Sequence, residues 1–358
     1  MLVKRRIVLI WMIIGLFMIF FQIIIGGVTR LTGSGLSITK WEIITGTIPP
    51  LNEAEWNDAY TLYKGTPQYT KINNGMTLSE FKFIYFWEYL HRLWARLMGI
   101  VFIVPFLIFL TKQWLDRKVI RMLIVVVLSA GLVGVFGWIM VASGLINRPW
   151  VNAYKLSIHL SLALIVYTYL LWTILTSWFP GVSNPSDARS SIKLFFILLT
   201  AQLFLGGMMS GMKAALVYPT WPLMHGEFIP AIILDLSAWN VDNFVDYDQG
   251  PFLIALVQFV HRSIGYLLVI NALYIIFSFY SIMKERGMTL VMGLFITMLI
   301  IQIGLGISVL LKSIGTIPVL IGVLHQAVAI LVLTLAVILY YFHSFNSLVS
   351  SPLNLDKP

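Results

Sequence analysis

A chain of 358 residues that is 59% apolar and only 11% charged is not a soluble globular domain; it has the composition of an integral membrane protein. A net charge of +9 suggests nucleic acid until the basic residues are located: they gather at the ends of apolar runs, so membrane lipid is the expected partner and nucleic acid is not. With no cysteine, the chain has no disulfide, iron–sulfur cluster or thiolate-ligated haem, and any metal must rely on nitrogen or oxygen ligands.

Apolar runs near 7–27, 93–111, 121–143, 155–177, 192–211, 260–282, 288–311 and 317–342 are each about long enough to cross a hydrocarbon core, which takes roughly 20 helical residues. Backbone exposed to lipid must satisfy its own hydrogen bonds, and the runs lack period-2 alternation, so eight helices are predicted and a barrel is not. The first run is too long for a signal-peptide core and has no small-residue cleavage site, and no Ser/Arg-rich presequence is present. A bacterial plasma membrane is the expected address.

Placing the N-terminus inside makes the cytoplasmic segments short and basic, with Lys4, Arg5, Arg6, Lys112, Arg117, Lys118, Arg189, Lys284 and Arg286. The outer loops then hold most of the acids, including Asp235, Asp242, Asp246 and Asp248, and the C-terminus returns inside. The longest outer loop, 28–86, is rich in turn formers between Gly33 and Pro50 and places Trp41 and Trp56 at headgroup level. Loops of that size are usually functional.

The chain repeats itself. At a shift of 180, Gln22 matches Gln202, Gly26-Gly27 matches Gly206-Gly207, and Leu36, Trp41, Gly46 and Pro50 match Leu216, Trp221, Gly226 and Pro230. The register slips to 170 at His91/His261 and Arg92/Arg262, then to 166 at His159/His325 and Ala163/Ala329. The expected fold is all-α, with two pseudo-symmetric four-helix bundles, 1–180 and 181–358, joined by an inner link at 178–191 that contains Pro180, Gly181, Pro185 and Ser190. Both halves begin inside, so they are parallel repeats whose sites open to the same side, near the outer face.

Four of the six histidines fall in matching places: His91 and His159, then His261 and His325. A histidine inside a membrane bundle is costly unless paired, and two per half at similar depth read as ligands. Zinc would recruit a further carboxylate or cysteine, and no such cluster is visible. Imidazoles on facing helices suit a planar macrocycle, so one haem site per half is expected.

Arg92 and Arg262 follow the first histidine of each pair, and two readings stand for them: partners of haem propionates or anchors to lipid phosphate. Glu88 lies three residues before His91, on the same helical face, whereas the matching residue is Gln258. Glu88 is either a general base for chemistry at the first site or the i+4 ion-pair partner of Arg92. His225 has Thr45 as its counterpart and reads as solvated, and His343 reads as structural. Glycines 131, 134 and 137 read as close helix packing.

The run from Gly26 through Val28-Thr29-Arg30-Leu31-Thr32-Gly33-Ser34-Gly35-Leu36-Ser37-Ile38, with Trp41 and Pro49-Pro50, then Glu88-Tyr89-Leu90-His91-Arg92, Gly137-Trp138-Ile139-Met140-Val141-Ala142-Ser143-Gly144-Leu145, His261-Arg262 and His325-Gln326, resembles the haem A synthase family over essentially the whole chain. The resemblance implies an eight-helix oxidoreductase that converts the C8 methyl of haem O to a formyl group through hydroxylated intermediates, giving haem A for terminal oxidases. It implies further that His91 and His159 flank the substrate haem, that His261 and His325 bind a cofactor haem b, and that Glu88 is the catalytic acid. Haem O synthase, an assembling terminal oxidase and a second copy of the chain are the implied partners. Some relatives carry a cysteine pair in the first outer loop that this chain lacks, which puts any thiol-dependent step in doubt here. Arg30, Thr32 and Ser34 either shape the mouth of the substrate pocket or order the loop. The rival readings are a quinol-oxidising two-haem cytochrome, which has no need of Glu88, and a haem carrier, which needs sites reachable from both faces.

Overall fold

A computed structural model describes residues 2–40, 45–145, 148–179, 190–285 and 287–343. Trp41, Arg189, Arg286 and the link residues Pro180, Gly181 and Pro185 lie outside the described residues. Those described are overwhelmingly helical and include no strand. Twelve α-helices follow in order: α1 (Leu2–Leu31), α2 (Glu53–Lys64), α3 (Pro67–Lys71), α4 (Leu78–Thr111), α5 (Arg117–Gly144), α6 (Ala153–Trp178), α7 (Ser190–Gly211), α8 (Ala231–Leu234), α9 (Val241–Val245), α10 (Phe252–Glu285), α11 (Thr289–Leu311) and α12 (Val319–His343). Eight of them, α1, α4, α5, α6, α7, α10, α11 and α12, are long and apolar enough to span a membrane.

Two of these helices begin well before their apolar runs. α4 starts at Leu78, where the Thr77 hydroxyl and the Glu80 carboxylate cap each other's backbone N–H groups, and α10 starts at Phe252. A hydropathy run marks only where a helix enters hydrocarbon, and a capping box marks where it starts. His91 and His261 are therefore seated well inside long helices. The first outer loop is correspondingly shorter, and it is built: α2 sets Tyr60 and Tyr63 against Phe81 and Ile84 of α4, all buried, and Tyr69 of α3 packs on them. Trp56, expected at the headgroups, packs edge-on to Tyr85 at 5.0 Å with the Lys82 ammonium over its ring.

The chain divides into two compact units, Met1–Val166 and Tyr167–Pro358, with the boundary inside α6. In the first, α1 packs along α4. Trp11 stacks on Phe102 at 4.6 Å and donates its indole N–H to the Val101 carbonyl at 3.0 Å, and Trp94 donates to the Met18 carbonyl at 2.9 Å. In the second, α7 packs along α10 and α11 along α12. Its Tyr167 and Thr334 hydroxyls bond at 2.8 Å, and Trp172 meets Tyr341 edge-on at 5.2 Å. Lipid tails are as apolar as leucine, so helix pairing of this kind rests on close packing and these buried hydrogen bonds.

Candidate functional site

Each of the four repeated histidines packs against a glycine on a neighbouring helix of its own unit. A Cβ added at Gly26 would lie 3.0 Å from the His91 ring, at Gly137 2.9 Å from His159, at Gly206 3.6 Å from His261 and at Gly306 2.9 Å from His325. At Gly26, Gly137 and Gly306 only a bare Cα lets an imidazole approach the helix backbone so closely, whereas the contact at Gly206 leaves ordinary van der Waals room. One turn before each glycine lies Gln22, Val133, Gln202 or Gln302, and each ring faces that residue's carbonyl. The best-formed contact is from His325 Nδ1 to the Gln302 carbonyl at 3.1 Å. The Nδ1 atoms of His159 and His261 are buried without a hydrogen-bond partner. Within each unit the paired histidines are in electrostatic reach of one another, His91 with His159 and His261 with His325.

Three glutamine side chains complete the pattern. Gln22 Nε2 lies 3.2 Å from His91 Nδ1, Gln202 Nε2 lies 3.2 Å from His261 Nε2, and Gln302 Nε2 lies 3.3 Å from His325 Nε2. Sequence reasoning matched Gln22 to Gln202 without assigning them a role, and it passed over Gln302 and Gly306. A signal was present, because Gln-x-x-x-Gly is spelled at 22–26, 202–206 and 302–306. Of the three glycines read as close helix packing, Gly137 is closely approached, by the His159 ring, while a Cβ at Gly131 or Gly134 would meet nothing within 4 Å.

Glu88 is buried, and both of its oxygens are engaged. Oε2 accepts from the Ser37 backbone N–H at 2.7 Å, the Ser37 hydroxyl at 2.7 Å and the Ile38 N–H at 2.9 Å, while Oε1 pairs with Arg92 at 2.5 Å. The backbone that supplies these donors is set by the end of α1. Gly33 takes a left-handed φ of +71°, open to glycine at no steric cost, and Ser34 N–H returns to the Thr29 carbonyl at 2.8 Å. Thr32 and Ser34 bond to each other at 2.7 Å, within this turn.

Arg92 also donates to the Ile38 and Lys40 carbonyls, at 3.2 and 3.3 Å. At the shift of 180, Arg262 donates to Tyr218 and Thr220, at 3.3 and 2.7 Å. The repeated arginine thus clamps the segment after the first helix of each unit, and beside Arg92 a cavity of about 100 Å³ is lined by Ile38, Thr39, Trp138, Val141, Ala142 and Leu145. Gln258, at the place of Glu88, is fully buried and donates to the Tyr218 carbonyl at 2.9 Å, leaving its Oε1 without a partner. His225 is exposed and 5.0 Å from the Tyr218 ring; the side chain of His343 is outside the described residues.

A membrane protein of eight spanning helices, with a histidine pair in each of two units and a buried acid beside only one pair, is the class that this fold and site define. The chain belongs to the cytochrome oxidase assembly protein family, whose profile matches residues 9–337. It is 38% identical over 350 residues to a protein of Flavobacterium psychrophilum named heme A synthase, covering 96% of this chain and 99% of that one. Proteins of the same name from Nitrosomonas eutropha and Agrobacterium fabrum are 39% and 36% identical over 333 and 335 residues, covering 91% and 93% of this chain and 91% and 89% of theirs. No solved structure matches the chain.

Proposed function

We propose that the protein is a haem A synthase, which oxidises the C8 methyl of haem O to the formyl group of haem A. Its family and the name borne by its relatives support this reading, and the observation that carries it is the buried Glu88 beside His91 where the repeat has Gln258. A pure electron carrier has no need of a buried acid at one site. An enzyme that changes one haem and keeps another needs a proton-handling group at one site only.

The donor set fits haem. Four imidazoles in pairs, no cysteine, and among the described residues no cluster of three or more His, Cys, Asp or Glu suit a macrocycle that brings its own equatorial ligands, not a bare cation. The Nδ1 atoms of His159 and His261 are buried without a hydrogen bond, and each ring faces a backbone carbonyl that can accept its remaining N–H once the other nitrogen is a ligand. In this reading His91 and His159 hold the substrate haem O, and His261 and His325 hold haem b. A haem in the second site supplies a redox centre for electrons leaving the methyl group.

Taking methyl to formyl with oxygen from water releases four protons and four electrons; Glu88, fixed by Ser37, Ile38 and Arg92, would accept protons at this site, and the electrons would pass on to an external one- or two-electron acceptor. Arg92 and Arg262, while clamping their loops, offer remaining guanidinium N–H groups to propionates. The protein is multi-pass; we place it in a bacterial plasma membrane, with both termini cytoplasmic, the haem sites near the outer face and haem O synthase or an assembling oxidase as neighbour. The test is Glu88→Gln, followed by acid-acetone extraction and mass measurement of the haems. Haem A should fall by on the order of 10²-fold or more, with both sites still loaded. Formyl-haem made at the wild-type rate by the loaded variant overturns the role of the acid, and wild-type protein that never yields modified haem overturns the function.

A further inference from the structure

Of the four histidine cradles, one is built differently. His91, His261 and His325 each sit against a glycine and a glutamine one turn earlier, whose amide is 3.2 to 3.3 Å from the ring. His159 sits against Gly137 as closely as any, but the residue one turn earlier is Val133, and among the described residues no side chain hydrogen-bonds its imidazole. The side-chain Oε1 atoms of Gln22, Gln202 and Gln302 are all buried without a partner. A half-turn of each terminal amide exchanges its N–H and C=O ends and presents that oxygen to a ring N–H.

A ligating histidine that donates its other ring N–H to a fixed acceptor is held in one tautomer and one orientation, and it is the more basic ligand for it. Three of the four rings also have a glutamine side chain against one edge, beside Nδ1 and Nε2 of His91 and beside Nε2 of His261 and His325, which restricts ring rotation in addition to the backbone carbonyl that all four face. His159 has the carbonyl alone.

We propose that Gln22, Gln202 and Gln302 are positioning residues for their histidines, and that Val133 leaves His159 as the releasable ligand through which the first site exchanges its haem. This rests on the ligand assignment proposed above and adds to it a division of labour. A site that takes up haem O and gives up haem A must let go of the macrocycle every cycle. A site that keeps its cofactor must not. The second site has a glutamine behind both histidines, and the first has one behind His91 only.

The experiment uses the full-length protein loaded with haem at both sites in detergent, mixed with excess apomyoglobin as haem scavenger, and follows haem loss by absorbance. Wild type should lose one haem in a fast phase and one in a slow phase. Val133→Gln should slow the fast phase by about 10-fold or more, the range over which second-shell partners act, and sharpen the low-spin signal of the first site. Gln302→Val should quicken the slow phase by a similar factor. The slow-phase haem reports whether Val133→Gln protein is folded, and Gln302→Val tests the same idea without inserting a polar group. An unchanged fast phase in folded Val133→Gln, or an unchanged slow phase in Gln302→Val, overturns the proposal. His159→Ala separates the two levels. If it leaves the fast phase and the low-spin signal as they were, the ligand assignment itself is wrong. If it abolishes them while the glutamine variants do nothing, only the division of labour fails.

Discussion

The two histidine sites are the same device built twice, and they differ most where the segment after the first helix of each unit meets the residue three before the histidine. In the first unit the Ser37 and Ile38 backbone N–H groups point at a carboxylate, Glu88. In the second an amide, Gln258, donates to the carbonyl of Tyr218, the residue that matches Ile38. Arg92 and Arg262 hold the two segments by equivalent carbonyls. The fold therefore does not need the acid. A neutral amide and an arginine suffice to close the loop there, which supports the chemical role proposed for the buried charge in the first unit.

This sets the largest expected effect. Glu88→Gln keeps the side-chain length and one acceptor oxygen for the Ser37 and Ile38 N–H groups, so it should hold the loop and haem loading better than a truncation while removing the proton acceptor, and haem A formation should drop by on the order of 10²-fold or more. Glu88→Ala is the harsher variant. It strips Arg92 of its carboxylate partner, and breaking a buried pair by removing one member typically costs about 3–5 kcal/mol, so this variant should lose stability as well as activity. Thermal unfolding of the two variants in detergent checks the difference: a Gln variant as unstable as the Ala variant means the charge is structural after all.

The glycines sharpen the comparison within a single unit. A Cβ at Gly306 would be 2.9 Å from the His325 ring, closer than packing allows, while one at Gly206 would be 3.6 Å from His261, an ordinary contact. The histidine ring is the far end of a side chain and can move, so Gly306→Ala should cost little folding stability but displace the ring. Haem occupancy of the second site should fall several-fold in Gly306→Ala and much less in Gly206→Ala, a steric penalty of roughly 1–3 kcal/mol set against almost none. Haem-to-protein ratios of the purified variants measure it, and equal losses would show that the close approach has no bearing on ligation.

Much of this was legible in the sequence, for physical reasons that also mark what was not. Eight spans read directly from apolar length, because lipid imposes one solution on the backbone. Repetition at matching positions found His91, His159, His261 and His325 and exposed the Glu88/Gln258 contrast. The starts of α4 and α10 were missed because segments outside the hydrocarbon are amphipathic, and their caps are local signals that hydropathy does not weigh. Gly137 and Gly306 were missed because which helix meets which histidine is a tertiary fact, and one glycine in an apolar run looks like another. The pairing of Glu88 with Ser37 and Ile38 bridges about fifty residues of chain that no local pattern connects.

The smallest expected effect tests how far the surroundings of Glu88 extend. The first outer loop reaches the segment that holds Glu88 through Gln68, whose amide donates to the Gly33 carbonyl at 2.8 Å and accepts from the Tyr63 hydroxyl at 3.1 Å, with Asn73 donating to that hydroxyl at 2.7 Å. Burial, with the Glu88 carboxylate adding to it, pushes the Tyr63 phenol up, so it stays protonated and remains a donor. Gln68→Ala leaves the Gly33 carbonyl and the Tyr63 hydroxyl short of a partner, at a local cost of about 1–3 kcal/mol. The Ser37 and Ile38 amides have other restraints in Arg92 and in the bond from Ser37 N–H to the Ser34 carbonyl, so activity should fall only a few-fold. Haem loading of the second site, which has no contact with this loop's glutamine within its own unit, should not change. Limited proteolysis of residues 53–77 should quicken in the same variant, and a Gln68→Ala enzyme as inactive as Glu88→Gln would mean that this loop, and not the clamp by Arg92, holds the carboxylate in place.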